Sequence, residues 1–240
     1  MTTDTLGHVQ VGQVLIPLAE AVRWVRDYTN VEANTRGRAP YAFPAYDQYE
    51  SQTNDPLRIT DADLLAPVLL NVRMPIRSFY GLQRIRGHLE AGLANEDLKR
   101  PLAEIDDPNR VAAMVSSLYA VLDESRPWGV KDTTLSKVLH RKAPQSLVLH
   151  DTWVNACYVG GSGPVPTARN RSYADYMTAI TVAIGKDIRT QQAAFAQLVD
   201  ASPGAGTLSH VRLLDILAWR SQGNSPSIDD VGESSGGLAG

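Results

Sequence analysis

Most residues that betray a function on inspection are scarce in this sequence. Cysteine occurs once, at Cys157, which excludes an intrachain disulfide and any metal or iron–sulfur centre built on cysteine ligands. His8, His88, His140, His150 and His210 are scattered without metal-ligand spacing, so no metal site and no other cofactor is expected. An excess of positive charge is also missing. The 23 Lys and Arg residues against 26 Asp and Glu give a formal net charge of −3, which excludes an overall basic nucleic-acid binder but permits a local basic face. The longest apolar run, residues 64–72, is far too short to span a bilayer. Met1 to Gln10 has no cationic stretch leading into an apolar one, so a cytoplasmic location away from membranes is expected. The serine-hydrolase elbow is missing, and Gly160-Gly161-Ser162-Gly163-Pro164 lacks the Gly-Lys-Ser/Thr ending of a phosphate-binding loop.

The remainder is ordinary globular material. Of 240 residues, 43% are hydrophobic and 20% charged, enough to bury a sizeable core without covalent staples. No segment sustains the period-two alternation of a strand. Helical spacing recurs instead. Val14, Leu15, Leu18, Val22 and Val25 predict a helix over residues 11–28, followed by an irregular, aromatic-rich stretch over 30–58. Thr60 reads as an N-cap, with Leu64, Leu65, Val68, Leu69 and Val72 as the apolar side of the next helix and Pro67 in its early turns or bending it. Pro75 opens another helix with Ile76, Phe79, Leu82, Ile85 and Leu89 inward. Asp107-Pro108 reads as a cap and first helical position, and further helices are expected over about 132–142, 151–158, 172–199 (broken near Gly185) and 208–219. The fold class is therefore all-α: a single multi-helix domain over residues 1–221, with a disordered Ser/Gly-rich tail over 222–240.

Chemistry is best sought between Trp128 and Val154. The Trp128-Gly129-Val130-Lys131 turn feeds a helix whose Leu135, Val138 and Leu139 lie on one side, with Lys137, His140 and Arg141 on the other. A glycine turn at a helix N-terminus can offer amides to a phosphate, and Lys131 and Lys137 would add attraction. A core helix with a solvated cationic side accounts for the same pattern. Likewise Asp151, ahead of Thr152-Trp153-Val154, fits both an N-cap and a catalytic carboxylate. Arg36, Arg38, Tyr41, Phe43, Tyr46 and Tyr49 mix cations with rings, as base-stacking surfaces do and as loops packed over a helical core also do. Arg73, Arg77, Arg84, Arg86 and His88 read as a solvated helix face.

The turn at Gly129-Val130, the helix after Thr134 and the segment Leu149-His150-Asp151-Thr152-Trp153-Val154 resemble the helix-hairpin-helix DNA glycosylase superfamily. In that family a Gly-hydrophobic-Gly hairpin grips the DNA backbone and an apolar segment leads to an aspartate. Here Lys131 replaces the second glycine, and Thr133 stands where bifunctional members carry a Schiff-base lysine. The phrases Asp61-Ala62-Asp63-Leu64-Leu65 and Ser136-Lys137-Val138-Leu139-His140-Arg141-Lys142 are similar to an uncharacterised actinobacterial family of unknown function. The first resemblance implies a helix-hairpin-helix glycosylase-like C-terminal half and a DNA-binding protein acting on modified bases without lyase activity. It also implies Asp151 as catalytic carboxylate and Gly129, Val130, Lys131, Lys137, His140 and Arg141 near the nucleic acid. The alternative is a non-catalytic helical scaffold or protein-interaction module, whose protein partner the sequence does not name.

Overall fold

A computed structural model describes residues 7–38, 40–49 and 55–226. It departs from expectation at once, with a β-hairpin. Strand β1 (His8–Val11) pairs antiparallel with β2 (Val14–Pro17), Val11 opposite Val14. Val9, Val11, Val14 and Ile16 point inward while the residues between them are less buried, the alternation of a half-buried ribbon. Gly12 makes the two-residue turn possible, with φ +62° and a position where a Cβ would lie 2.2 Å from the Cys157 carbonyl oxygen. The helix expected over residues 11–28 is accordingly cut short to α1 (Leu18–Tyr28). Helical spacing and strand alternation coincide over so few residues, and the hairpin prevails through its turn.

Within the stretch expected to be irregular, Asn30 caps a short helix, α2 (Val31–Arg36). Thr60 caps α3 (Asp61–Leu65) as expected, and reciprocally: its hydroxyl accepts from the Asp63 amide while the Asp63 side chain accepts from the Thr60 amide. Pro67 enters a tighter 3₁₀ turn, Ala66–Leu70, rather than a continued α-helix. The apolar side expected of this segment is only partly core. Leu64 is buried, whereas Leu65 and Val68 are exposed.

The remaining helices are α4 (Ile76–Leu93), α5 (Pro108–Glu124), α6 (Asp132–His140), α7 (Thr152–Tyr158), α8 (Tyr173–Thr190), α9 (Gln192–Asp200) and α10 (His210–Ser221). Asp107, Asp151, Ser172 and Ser209 each cap the helix that follows by accepting backbone N–H groups. Gly185 does not interrupt α8; it lets Leu102 pack closely, and the break falls later, at Gln191. Ile76, expected inward, is exposed at the start of α4.

Among the described residues the architecture is helix on helix with one two-stranded sheet. Helices α5 and α8 pack along much of their lengths, α4 lies against α5, and α1, α7, α8 and α9 surround α10. Helix α10 is buried on nearly every side, including Leu213, Leu214, Ile216, Leu217 and Ala218, as a central helix must be. Of the tail expected over 222–240, residues 227–240 lie outside the described residues. Residues 222–226 stay against the domain: Leu15 N donates to Ser225 Oγ at 3.0 Å, and Gly223 abuts Ala156. Among the described residues no helix is long and apolar enough to cross a membrane.

Asp63 joins three segments. Besides capping α3, it accepts from Arg141 Nε at 3.1 Å and Lys142 Nζ at 3.2 Å just beyond α6, all three side chains being buried. Burial pushes its pKa up, but the Thr60 amide, Lys142 and Arg141 together outweigh burial and hold it below the usual carboxylate range. Its contribution to stability is therefore present above the unfolded-state pKa and lost as pH falls through the lower folded value. Asp63→Ala strands two buried cations and should lower stability by about 3–5 kcal/mol in urea unfolding at neutral pH. It should also remove part of the acid sensitivity below the ordinary carboxylate pKa. A loss under about 1 kcal/mol would show that the cations find water instead.

Candidate functional site

The region between α5 and α7 forms around a turn and a fastened segment. Helix α5 ends at Glu124, residues 125–131 turn back, and α6 starts at Asp132. Val130 N donates to Pro127 O at 3.1 Å, and Gly129 takes φ +75°, so glycine is required there. Lys131 sits at φ −130°, extended backbone open to any residue. The turn therefore forms without a second glycine.

The cationic outer side expected of α6 is absent. Ser136, Lys137 and His140 are buried, because these side chains fasten α6 to the apolar segment Leu147-Val148-Leu149-His150. Ser136 Oγ accepts from His150 N at 3.0 Å, Lys137 Nζ donates to His150 O at 3.1 Å, and His140 Nδ1 donates to Leu147 O at 2.7 Å. Among the described residues no strand pairs with that segment, and α6 supplies partners for its backbone. Arg141 likewise turns inward, donating to Tyr46 O at 3.2 Å and Tyr49 O at 2.6 Å as well as to Asp63. Lys137, His140 and Arg141 are thus engaged within the protein, although Lys137 lines one cleft and His140 and Arg141 line a neighbouring pocket of about 260 Å³. Lys131 remains exposed, Gly129 is exposed, and Val130 is buried against α4 beside Gly81.

The fastened segment delivers Asp151 to the start of α7. One carboxylate oxygen accepts from Trp153 N at 2.9 Å and Val154 N at 3.1 Å. The other lies 3.7 Å from Lys137 Nζ, with the Asp151 side chain 24% exposed and that of Lys137 only 4%. The two oxygens thus have different neighbours: one caps α7 and the other lies beside Lys137, and Asp151 also lines a cleft. That cleft, of about 370 Å³, has Asp151, Lys137, Arg212 and Asp215 among its polar lining. Its walls are Tyr28, Tyr41 and Trp219, together with the Val68-Leu69-Leu70 turn. The exposure of Val68 follows: it lines a cavity instead of filling the core.

The aromatic wall is held by charge. Arg212, buried on α10, donates to Asp47 at 2.7 Å and also bonds Asp215 and the Tyr28 hydroxyl. Tyr28 and Tyr41 stack with ring centres 5.8 Å apart, and Trp219 meets Tyr41 edge-on at 5.6 Å. Arg220 donates to the Tyr41 hydroxyl at 2.6 Å. Burial would lower the Arg212 pKa, but Asp47, Tyr28 and Asp215 raise it well above normal, so it remains a cation. Burial pushes the Asp215 carboxyl up to about 6, more than Arg212 pulls it down. Asp151 and Asp215 line the same cleft. Asp215, Arg212 and Trp219 carry no motif that marks them in the sequence. Their only signal was a charged Arg-x-x-Asp pair inside an otherwise apolar helix. Of the aromatic stretch, Tyr41 reaches the cleft, while Phe43 and Tyr46 are core.

Behind Lys137, His150 Nε2 lies 2.9 Å from the Tyr176 hydroxyl. Its Nδ1 approaches Asp132 Oδ2 at 3.2 Å but is too poorly directed to form a hydrogen bond. Among the described residues no group of three or more His, Cys, Asp or Glu is placed to hold a metal ion.

A family model described as "Family of unknown function (DUF6308)" matches residues 21–222. No curated protein and no solved structure matches the chain. The likeness to helix-hairpin-helix glycosylases rests on the residues of the turn, α6 and Asp151 alone.

Burial holds the His140 pKa down to about 4, and the Leu147 carbonyl raises it only in part. An unfolded histidine titrates near 6.5. As pH falls from there toward 4, the unfolded chain takes up a proton that folded His140 refuses, so stability drops across that window by about 3 kcal/mol. His140→Gln keeps a donor for Leu147 O and should flatten the loss, measured by urea unfolding between pH 7 and pH 4. An unchanged slope would mean that His140 protonates in place.

Proposed function

We propose that this chain, which belongs to the DUF6308 family of unknown function, is a nucleic-acid-binding enzyme that hydrolyses the N-glycosyl bond of modified bases in DNA. The observation that carries the reading is a partly exposed carboxylate, Asp151, among the lining of a cleft that Tyr28, Tyr41 and Trp219 also line. A base turned out of its helix needs flat apolar surfaces to replace the stacking it loses. Tyr28, Tyr41 and Trp219 offer them, and 370 Å³ accommodates a single base with part of its sugar. As the C1′–N bond breaks, its electron pair leaves with the base and positive charge grows on the sugar. The Asp151 oxygen not used in capping is suited to stabilise that charge. Water then adds to C1′ and releases a proton, and the base departs once it has gained one.

Lys137 reaches the same cleft, which its phosphate-facing assignment did not anticipate. Its ammonium donates to the His150 carbonyl and lies against Asp151, a setting that favours a positioning charge over a nucleophilic amine. Hydrolysis without strand scission remains the expected chemistry, in keeping with Thr133 at the position of the lyase lysine. The competing reading, a non-catalytic scaffold, draws on how completely the polar groups of α6 are consumed by structure.

The test is a panel of duplexes carrying alkylated, oxidised, deaminated and mismatched bases, with abasic sites revealed by alkali. Asp151→Asn preserves the cap and should leave melting temperature within a few degrees of the parent. Base release should fall by at least about a hundredfold, with no borohydride-trapped adduct in either protein. Turnover that survives the substitution refutes the role of Asp151; silence across the panel favours the scaffold.

A further inference from the structure

Away from the cleft, the first turns of α4 and the Gly129 turn meet and leave large apolar groups uncovered. Ser78 Oγ donates to Gly129 O at 2.6 Å. At Gly81 a Cβ would stand 2.6 Å from the Trp128 carbonyl oxygen, so only glycine lets the turn lie this close to the helix. The contact holds Trp128 beside α4. Trp128 is 70% exposed, Ile76 67% and Tyr80 60%, and they share a shallow groove with Arg77 and Arg84.

Two further observations say what covers this surface. The Arg77 guanidinium lies 5.8 Å from the Trp128 ring centre, a mixed cation and aromatic platform. Arg86 on the same helix pairs with Asp61, yet among the described residues no carboxylate pairs with Arg77, Arg84 or Lys131. Exposed rings of this size mark a contact surface, and unpaired cations between them call for a polyanion with flat faces. We propose that this face of α4 and the Gly129 turn binds a nucleic-acid strand. Bases stack on Trp128 and Tyr80, and Arg77, Arg84 and Lys131 neutralise phosphates. The proposal rests on the reading above only in naming a nucleic acid; it concerns binding and needs no turnover.

The experiment is fluorescence anisotropy of the full chain with a fluorescein-labelled oligothymidylate and with a duplex of equal length, across a salt series. Parent protein should bind at low salt and weaken steeply as salt rises. Trp128→Ala and Tyr80→Ala should each weaken binding about tenfold. Arg77→Glu with Arg84→Glu should weaken it at least as much and flatten the salt dependence. All four side chains are exposed, so melting temperatures should match the parent and separate lost binding from lost fold. The proposal is overturned by undetectable binding at low salt, by aromatic variants that bind like the parent, or by polyglutamate displacing the oligonucleotide charge for charge. A silent base panel with Trp128-dependent binding intact sinks the enzyme reading and supports this surface. Base release by the parent, with Trp128→Ala binding the oligonucleotide as tightly as the parent, does the reverse.

Discussion

A polar helix face that has been taken out of water constrains everything around it. Ser136, Lys137, His140 and Lys142 are all buried, and each unpaired polar group would cost on the order of 1–3 kcal/mol, more for a charge. The chain meets that demand by drawing other segments to α6. Residues 147–150 supply carbonyls and an amide, Asp63 supplies a carboxylate, and Tyr46 donates its hydroxyl to Lys137 O at 2.7 Å. The position of α3, of the aromatic loop and of Asp151 all follow from satisfying this one helix.

The cleft is a by-product of the same demand met twice. Arg212 on α10 is as deeply buried as Lys137, and it gathers Asp47, Asp215 and Tyr28 around itself. Arg141 pins the backbone at Tyr46 and Tyr49 from the other side. The loop they hold leaves Tyr41 half-buried at the edge of the core while Phe43 and Tyr46 enter it. Rings anchored by cations on one wall and a 3₁₀ turn on the other keep apart surfaces that hydrophobic attraction alone would close. A pocket kept open in this way is preorganised, and preorganisation is what an electrostatic role for Asp151 requires.

Much of the scaffold was legible beforehand. The caps at Thr60, Asp107, Asp151 and Ser172 mark helix starts because short oxygen-bearing side chains satisfy first-turn amides in any context. The opening hairpin was missed because Val14, Leu15 and Leu18 also fit a helix, and four-residue strands offer too little alternation to decide. The inward turn of Lys137, His140 and Arg141 was missed for another reason. A cation on the polar side of an amphipathic helix is ordinarily solvated, and nothing local distinguishes the one that meets a carbonyl 13 residues later.

The sequence by itself determined the helical class, the caps and the glycine at the tight turn, since each depends on neighbours within a few residues along the chain. It also singled out Asp151, through its place before Thr152 and after an apolar run. Tertiary structure alone decided that the Asp151 carboxylate caps a helix with one oxygen and lies by Lys137 with the other. It also decided that Trp219, Asp215 and Tyr28 share a cleft with Asp151, and that Trp128 stands uncovered beside Arg77. Those facts rest on distances between segments far apart in sequence, set by which buried charge finds which partner, and that competition is resolved only when the whole core has formed.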